Sequence, residues 1–139
     1  MVTVVLVPRD DERAAALRDA GHDVRAEPAD GETTVWVARR EGVACALDRA
    51  LSSPATVAAL VLVDPEEPRE PAVLARIVAP TLVIAAPGDR LRPVSVAESH
   101  WRHIPTSRLI VETPGDVRLW ERPDDLATRV TRFLREVLA

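Results

Sequence analysis

Five short apolar runs, with no polar alternation inside them, set most of what this chain can become. Residues 2–7 (VTVVLV), 33–37 (TTVWV), 57–63 (VAALVLV), 81–86 (TLVIAA) and 109–111 (LIV) carry no charge and are rich in β-branched residues. A strand with one wet face alternates apolar and polar residues. A strand buried on both faces does not, so these runs suit a parallel sheet covered by helices. Stretches with helical patterning lie between them, and the resulting order of strand, helix, strand, helix predicts an α/β architecture.

The helices carry their own boundary signals. The first opens near Asp10-Asp11, runs through Ala14 and Leu17, and stops at Gly21, a residue suited to ending a helix. A second is expected over residues 41–51. A third follows Pro93, with Ser95 and Glu98 in the spacing of a capping box. The last begins at Pro123-Asp124-Asp125, a proline in the first turn followed by acids at the positive end of the helix dipole. Its Leu126, Val130, Phe133, Leu134, Val137 and Leu138 form one apolar stripe.

The 139 residues predict a single domain, 1–139. Residues 64–79 are the one compositional break. They begin with a proline-rich, acidic stretch that reads as an exposed loop, followed by a short helix over 72–77. A net charge of −4 with no basic face argues against a nucleic-acid partner. No apolar run approaches the roughly 20 residues of a membrane span, and no leader pattern opens the chain, so a cytoplasmic protein is expected. The one cysteine, Cys45, is read as a small buried filler.

In order and spacing these segments resemble the α/β-hydrolase superfamily. The strand through Val7 and then Pro8-Arg9 is similar to the family's first core strand and oxyanion loop. The helix ending Ala20-Gly21-His22-Asp23-Val24 resembles the turn into its next strand. The strand of residues 33–37, the turn Ala38-Arg39-Arg40-Glu41-Gly42 and the following helix resemble the nucleophile elbow, Gly-x-Ser-x-Gly. Val61-Leu62-Val63-Asp64-Pro65 resembles the strand after it. Gly88-Asp89 looks like the segment that supplies the acid of the triad. Thr113-Pro114-Gly115-Asp116 with Trp120-Glu121-Arg122-Pro123 resembles the loop that supplies the histidine. The resemblance implies a three-layer, mostly parallel sheet of about six strands with helices on both faces, a truncated α/β-hydrolase-like fold in which residues 64–79 stand where a cap would be inserted. It also makes the strand of residues 23–27 a sheet edge, protected by Asp23, Arg25 and Glu27. The link over residues 27–33 is shorter than the roughly dozen residues of a helical crossover. It crosses in extended form or turns back at Asp30-Gly31, and the extended crossing is preferred.

The departures from the family pattern bear on chemistry. Arg40 stands at the nucleophile position, Asp116 at the histidine position and Asp89 at the acid position. A Ser-His-Asp mechanism needs nucleophile, base and orienting acid together, and only an acid is kept. Three readings follow. Arg40, Asp89 and Asp116 form an ion-paired plug; or Arg39 and Arg40 capture an anion at a helix N-terminus, with Arg9, Glu41 and Trp36 as further ligand-binding candidates; or Asp89 and Asp116 act as acid and base. His100 and His103 are read as a surface pair, and Trp101 and Trp120 as partly exposed. The expected protein is therefore α/β-hydrolase-like without the hydrolase machinery: a non-catalytic binding, structural or regulatory subunit. The alternative is a non-hydrolytic cyclase, isomerase or lyase of a biosynthetic pathway. No cofactor or metal is expected. The partners considered are a second copy of the chain, another protein, and a small anionic or acyl ligand.

Overall fold

In the computed structural model, residues 2–87 and 93–138 are described. The apolar runs become strands β1 (Thr3–Val7), β3 (Thr34–Arg39), β4 (Val57–Val63), β5 (Thr81–Ala85) and β6 (Ser107–Val111), joined by β2 (Asp23–Arg25). They form one six-stranded sheet in the order β2-β1-β3-β4-β5-β6, and every neighbouring pair is parallel. Helices α1 (Asp11–Asp19), α2 (Gly42–Ser52), α3 (Pro71–Leu74), α4 (Val94–His103) and α5 (Pro123–Val137) cover it.

The lack of alternation has a direct structural cause. Val4, Leu6, Val35, Val37, Val61, Val63, Leu82 and Ile84 pack with Leu17 of α1 and with Leu126, Val130 and Phe133 of α5. Their chain neighbours Val5, Trp36, Ala38, Leu60 and Leu62 face Val43, Ala46 and Leu47 of α2, and Val83 and Ala85 face Ala97 of α4. Successive strand residues thus enter two cores on opposite faces, and both cores need apolar side chains.

The link between β2 and β3 crosses to a second parallel position without a helix, and it turns at Asp30-Gly31, where Glu32 N–H donates to Ala29 O at 3.1 Å. β2 pairs only with Thr3–Val5, the lower part of β1, so the chain leaves the sheet early and has little height to recover before Thr34. Arg25 ties the crossing down, with ion pairs to Asp23 at 2.9 Å and to Glu32 at 2.6 Å. β2 is an edge strand, as the resemblance implied.

Several local expectations are corrected. Pro93 occupies the N-cap of α4 and no side chain caps it, so Ser95 lies inside the helix and the capping box does not form. α3 is four residues long and stops at Leu74, although Ile77 beyond it is buried. Cys45 is exposed, because the buried face of α2 is taken by Val43, Ala46, Leu47 and Ala50. Leu138 lies past the end of α5 and is exposed. Among the described residues no helix is long and apolar enough to cross a membrane.

Candidate functional site

The carboxyl ends of β3 and β4 meet at the middle of the sheet, and both strands end in the same unusual way. Arg40 and Asp64, immediately after them, have φ of 53° and 49°, and among the described residues they are the non-glycine positions with left-handed backbone. That conformation costs an ordinary residue about 1–2 kcal/mol. At Arg40 the chain reverses from strand to helix. Its N–H donates to Val63 O at 3.0 Å, extending the ladder by one rung, and its own carbonyl accepts from Val43 N at 3.0 Å, opening α2. Two residues on, Gly42 is fixed by packing. A Cβ there would lie 2.4 Å from the backbone oxygen of Val7, so the end of β1 admits only glycine.

Strand parity sends the two arginines to different faces. Arg39 continues the face of Val35 and Val37, where it meets the loop before α5. Its guanidinium lies over the Trp120 ring, 4.9 Å from the centroid, and Arg13 of α1 lies over the same ring at 5.4 Å. Arg13 Nε also donates to Trp120 O at 2.8 Å. Asp64 supplies the nearest counter-charge to Arg39, at 3.9 Å, and its Oδ1 accepts from Ala86 N at 3.4 Å. Burial is the main cause that lowers the Arg39 pKa below the usual arginine value. The adjacent Arg40 charge lowers it further, Asp64 opposes, and Arg118 and Arg13 add to the lowering. Three arginine charges thus act on Arg39 against one carboxylate, Asp64.

Arg40 follows the parity of Trp36 and Ala38 toward the α2 side. No ion pair or hydrogen bond engages its guanidinium among the described residues, and its Nε is buried without a partner. It borders two cavities. One, of about 220 Å3, is lined by Pro8, Arg9, Asp10, Arg39, Glu41 and Trp120. The other, of about 50 Å3, is lined by Glu41, Glu66, Glu67, Arg69 and His100 among others. Glu41, at the N-cap of α2, makes no side-chain capping bond, so the helix start lies unscreened beside the arginines. The described residues contain no group of three or more His, Cys, Asp or Glu that could hold a metal ion.

No protein-family model matches the chain, and no curated protein matches it in sequence. Solved structures do. A serine hydrolase involved in carbazole degradation, the CarC enzyme, superposes with a TM-score of 0.79 at 14% identity, over 97% of this chain and 91% of that one. A mutant of the meta-cleavage product hydrolase CumD gives 0.78 at 12% identity, over 98% and 92%. A thermophilic esterase from Thermogutta terrifontis gives 0.72 at 15% identity, over 99% and 90%. This chain has the α/β-hydrolase fold.

Within that fold, the left-handed turn at Arg40 has the form of a nucleophile elbow, a sharp strand-to-helix reversal that thrusts one side chain up from the sheet. The other expected site residues divide. Arg39, Arg40 and Glu41 do converge on one cavity, and Arg9 reaches its rim, exposed and paired with Asp11 at 3.1 Å. Asp116 does not join them. It is exposed, its N–H closes a turn onto Thr113 O at 3.2 Å, and it does not line the cavity that Arg40 borders. Asp89 lies outside the described residues. Trp36 is core rather than ligand platform, 5% exposed, with its indole N–H donating to Thr34 Oγ1 at 2.9 Å.

Sequence reasoning missed three participants. Trp120, expected to be partly exposed, is 4% exposed and is the residue of its loop that reaches the elbow. Asp64, expected to open an exposed loop, is 6% exposed. His100, expected on the surface, is fully buried. Ala97, His100 and Ile104 recur at the spacing of one helix face, and that pattern marks the histidine as inward-facing.

Proposed function

We propose that this α/β-hydrolase-fold chain is a non-catalytic binding protein that holds a small anion, a carboxylate or phosphate, where a hydrolase of this fold would hold its nucleophile. The observation that carries this reading is Arg40: a cation at the left-handed elbow position, with a buried Nε that no group among the described residues engages. Arg39 beside it is held by a carboxylate at only 3.9 Å, and the uncapped start of α2 adds backbone N–H groups and a positive dipole end. An anion in the cavity bordered by Arg9, Arg39 and Arg40 would relieve the repulsion between the guanidinium groups and occupy their donors, in bidentate fashion where a planar oxyanion meets an arginine fork.

Serine-hydrolase chemistry gets no support at this position, because arginine is always protonated and cannot act as a nucleophile. The role proposed is that of a binding or regulatory subunit.

The test is calorimetric titration of the full chain with inorganic phosphate and with short carboxylates, at low and at physiological ionic strength. Binding should weaken with salt and be lost in Arg40→Ala, whose melting should stay cooperative. A serine-directed phosphonate probe should give no adduct. Covalent labelling at any serine, or anion affinity unchanged by Arg40→Ala, would sink the reading.

A further inference from the structure

The two edges of the sheet are finished differently. β2 is three residues long, and its charges are tied down locally: Arg25 pairs with Asp23 and with Glu32. A short, charged strand is a poor template for another chain. β6 is five residues long, and its register with β5 runs from Ser107 to Val111 without a bulge. Thr81 N donates to Thr106 O at 2.8 Å and Glu112 N to Ala85 O at 2.8 Å, so the even-numbered residues of β6 turn their backbone groups toward β5. Strand alternation turns the N–H and C=O of Ser107, Leu109 and Val111 the other way, where the sheet has no further strand. Val111, at the carboxyl end of that row, is 46% exposed. At the other end the Ser107 hydroxyl shares its proton between Trp101 O at 2.7 Å and Ile104 O at 2.8 Å, which ties the strand to the end of α4.

A groove of about 230 Å3 lies beside this edge, between β6 and α5, and shares no residue with the cavities that border Arg40. Ile110 and Phe133 give it an apolar part, and Arg108, Arg129, Arg132 and Glu136 give it charge. Arg108 is committed: it pairs with Glu136 and lies over the Phe133 ring, 5.8 Å from the centroid. Arg129 and Arg132 make no ion pair or hydrogen bond with any described residue. Arg132 is exposed and Arg129 half-buried, so both can be reached from solvent. Three arginines against one glutamate form a positive patch on a chain of net charge −4. A chain laid along β6 would turn every second side chain toward this groove.

We infer that β6 is the docking edge for an extended acidic peptide of another protein. The peptide backbone bonds to Ser107, Leu109 and Val111 and adds one more strand to the sheet. One apolar side chain enters the groove against Ile110 and Phe133, and carboxylates on the same face of the peptide meet Arg129 and Arg132. The charges decide between this occupant and a second copy of the chain. Two copies joined at this edge about a two-fold axis would set the patch against itself, arginine facing arginine. An acidic peptide brings the opposite sign to the same groups.

The test is a 15N NMR titration of the full chain with the peptide Ac-Glu-Val-Leu-Val-Glu-NH2, whose side chains on one face are Glu, Leu and Glu. The amides of Ser107, Leu109 and Val111 should shift and gain protection from exchange, and those of Arg108 and Ile110, already turned to β5, should change less. N-methylation of one alternate set of peptide amides should abolish binding, and of the other set should leave it intact. The combined change Arg129→Ser and Arg132→Ser should weaken binding at least tenfold with unchanged melting, and the peptide with Lys in place of both Glu should not bind. Val111→Pro removes an outward N–H and no ladder bond, so it too should weaken binding. If that variant fails to fold, the N-methyl series on the wild-type protein still decides. Shifts at groove residues while the three edge amides stay still would overturn the added strand. A concentration-dependent dimer of the free chain that already protects those amides would overturn the peptide in favour of a second copy. Absence of binding by the acidic peptide would overturn the inference outright.

Discussion

Arg40 and Asp64 end adjacent strands with nearly the same backbone, φ 53° and 49°, yet their side chains meet opposite circumstances. Asp64 is used by the protein itself. It is almost wholly buried, accepts from Ala86 N across the gap to the next strand, and offsets the Arg39 charge. Arg40 is used by nothing among the described residues, although it sits between two cavities and one of its nitrogens is cut off from water. The same strained turn therefore serves two ends. At both positions the left-handed backbone carries the chain out of its strand, but the Asp64 side chain makes internal bonds there, whereas the Arg40 side chain makes none among the described residues.

The largest effect that bears on this contrast belongs to the platform under Arg39. Trp120→Ala removes a ring that two guanidinium groups lie over and leaves a cavity beneath the elbow, so urea denaturation should show a loss of about 3–5 kcal/mol. A loss below about 1 kcal/mol would mean that the Arg39 side of the corner is not held by this stack. Asp64→Ala should come next, at about 3 kcal/mol, because it strands Arg39 without its nearest counter-charge and places a Cβ-bearing residue with no polar group in a left-handed turn. Asp64→Asn should cost clearly less, since asparagine keeps an acceptor for Ala86 N and tolerates that backbone. Equal costs for the two would assign the whole role of Asp64 to its charge.

Arg40→Gly should go the other way. Glycine removes the backbone strain, and no side-chain bond among the described residues is lost, so the protein should gain about 1–2 kcal/mol while anion binding disappears. Thermal melts with and without phosphate read both halves of that expectation. A destabilised Arg40→Gly would show that the side chain does hold the corner together, and the contrast with Asp64 would collapse.

The fold was legible because the property that specifies it is written along each strand. A run such as Val57–Val63 has no polar position to spare, so it fits only between two layers of helix. The edge role of β2 came instead from the strand order of the α/β-hydrolase resemblance, and the charges of Asp23 and Arg25 agree with it. The corner was half legible. Arg39, Arg40 and Glu41 follow from the elbow spacing, and parity alone sends Arg39 and Arg40 to opposite faces. Asp64 was missed because the prolines and glutamates after it set the local composition, whereas its burial comes from β3 and β5 closing over the end of β4. Asp116 was chosen by counting back from Glu121, but the 3-10 turn at Leu119–Glu121 brings Trp120 inward instead. Neither outcome depends on local sequence, so no local pattern could reveal it.

The smallest effect tests the side of Arg40 that faces His100. Two histidines have lowered pKa values: His100, mainly through burial, and His22, through burial first and then the charges of the N-terminus and Arg135. The unfolded chain takes up protons at its histidines near the ordinary value of 6.5, while the folded protein holds these two neutral to lower pH. Their contribution to stability is thus complete above about pH 6.5, declines as the pH falls toward the lowered folded values, and levels off below them. One histidine gives a slope of at most about 1.4 kcal/mol per pH unit in that window. Carboxylates titrate at lower pH and would blur a single curve, so the quantity to measure is the difference between wild type and His100→Gln, which cannot take up that proton. That difference should shrink on acidification below pH 6.5 and stay flat above it. A difference that is flat throughout would mean that burial does not hold His100 neutral in the folded protein.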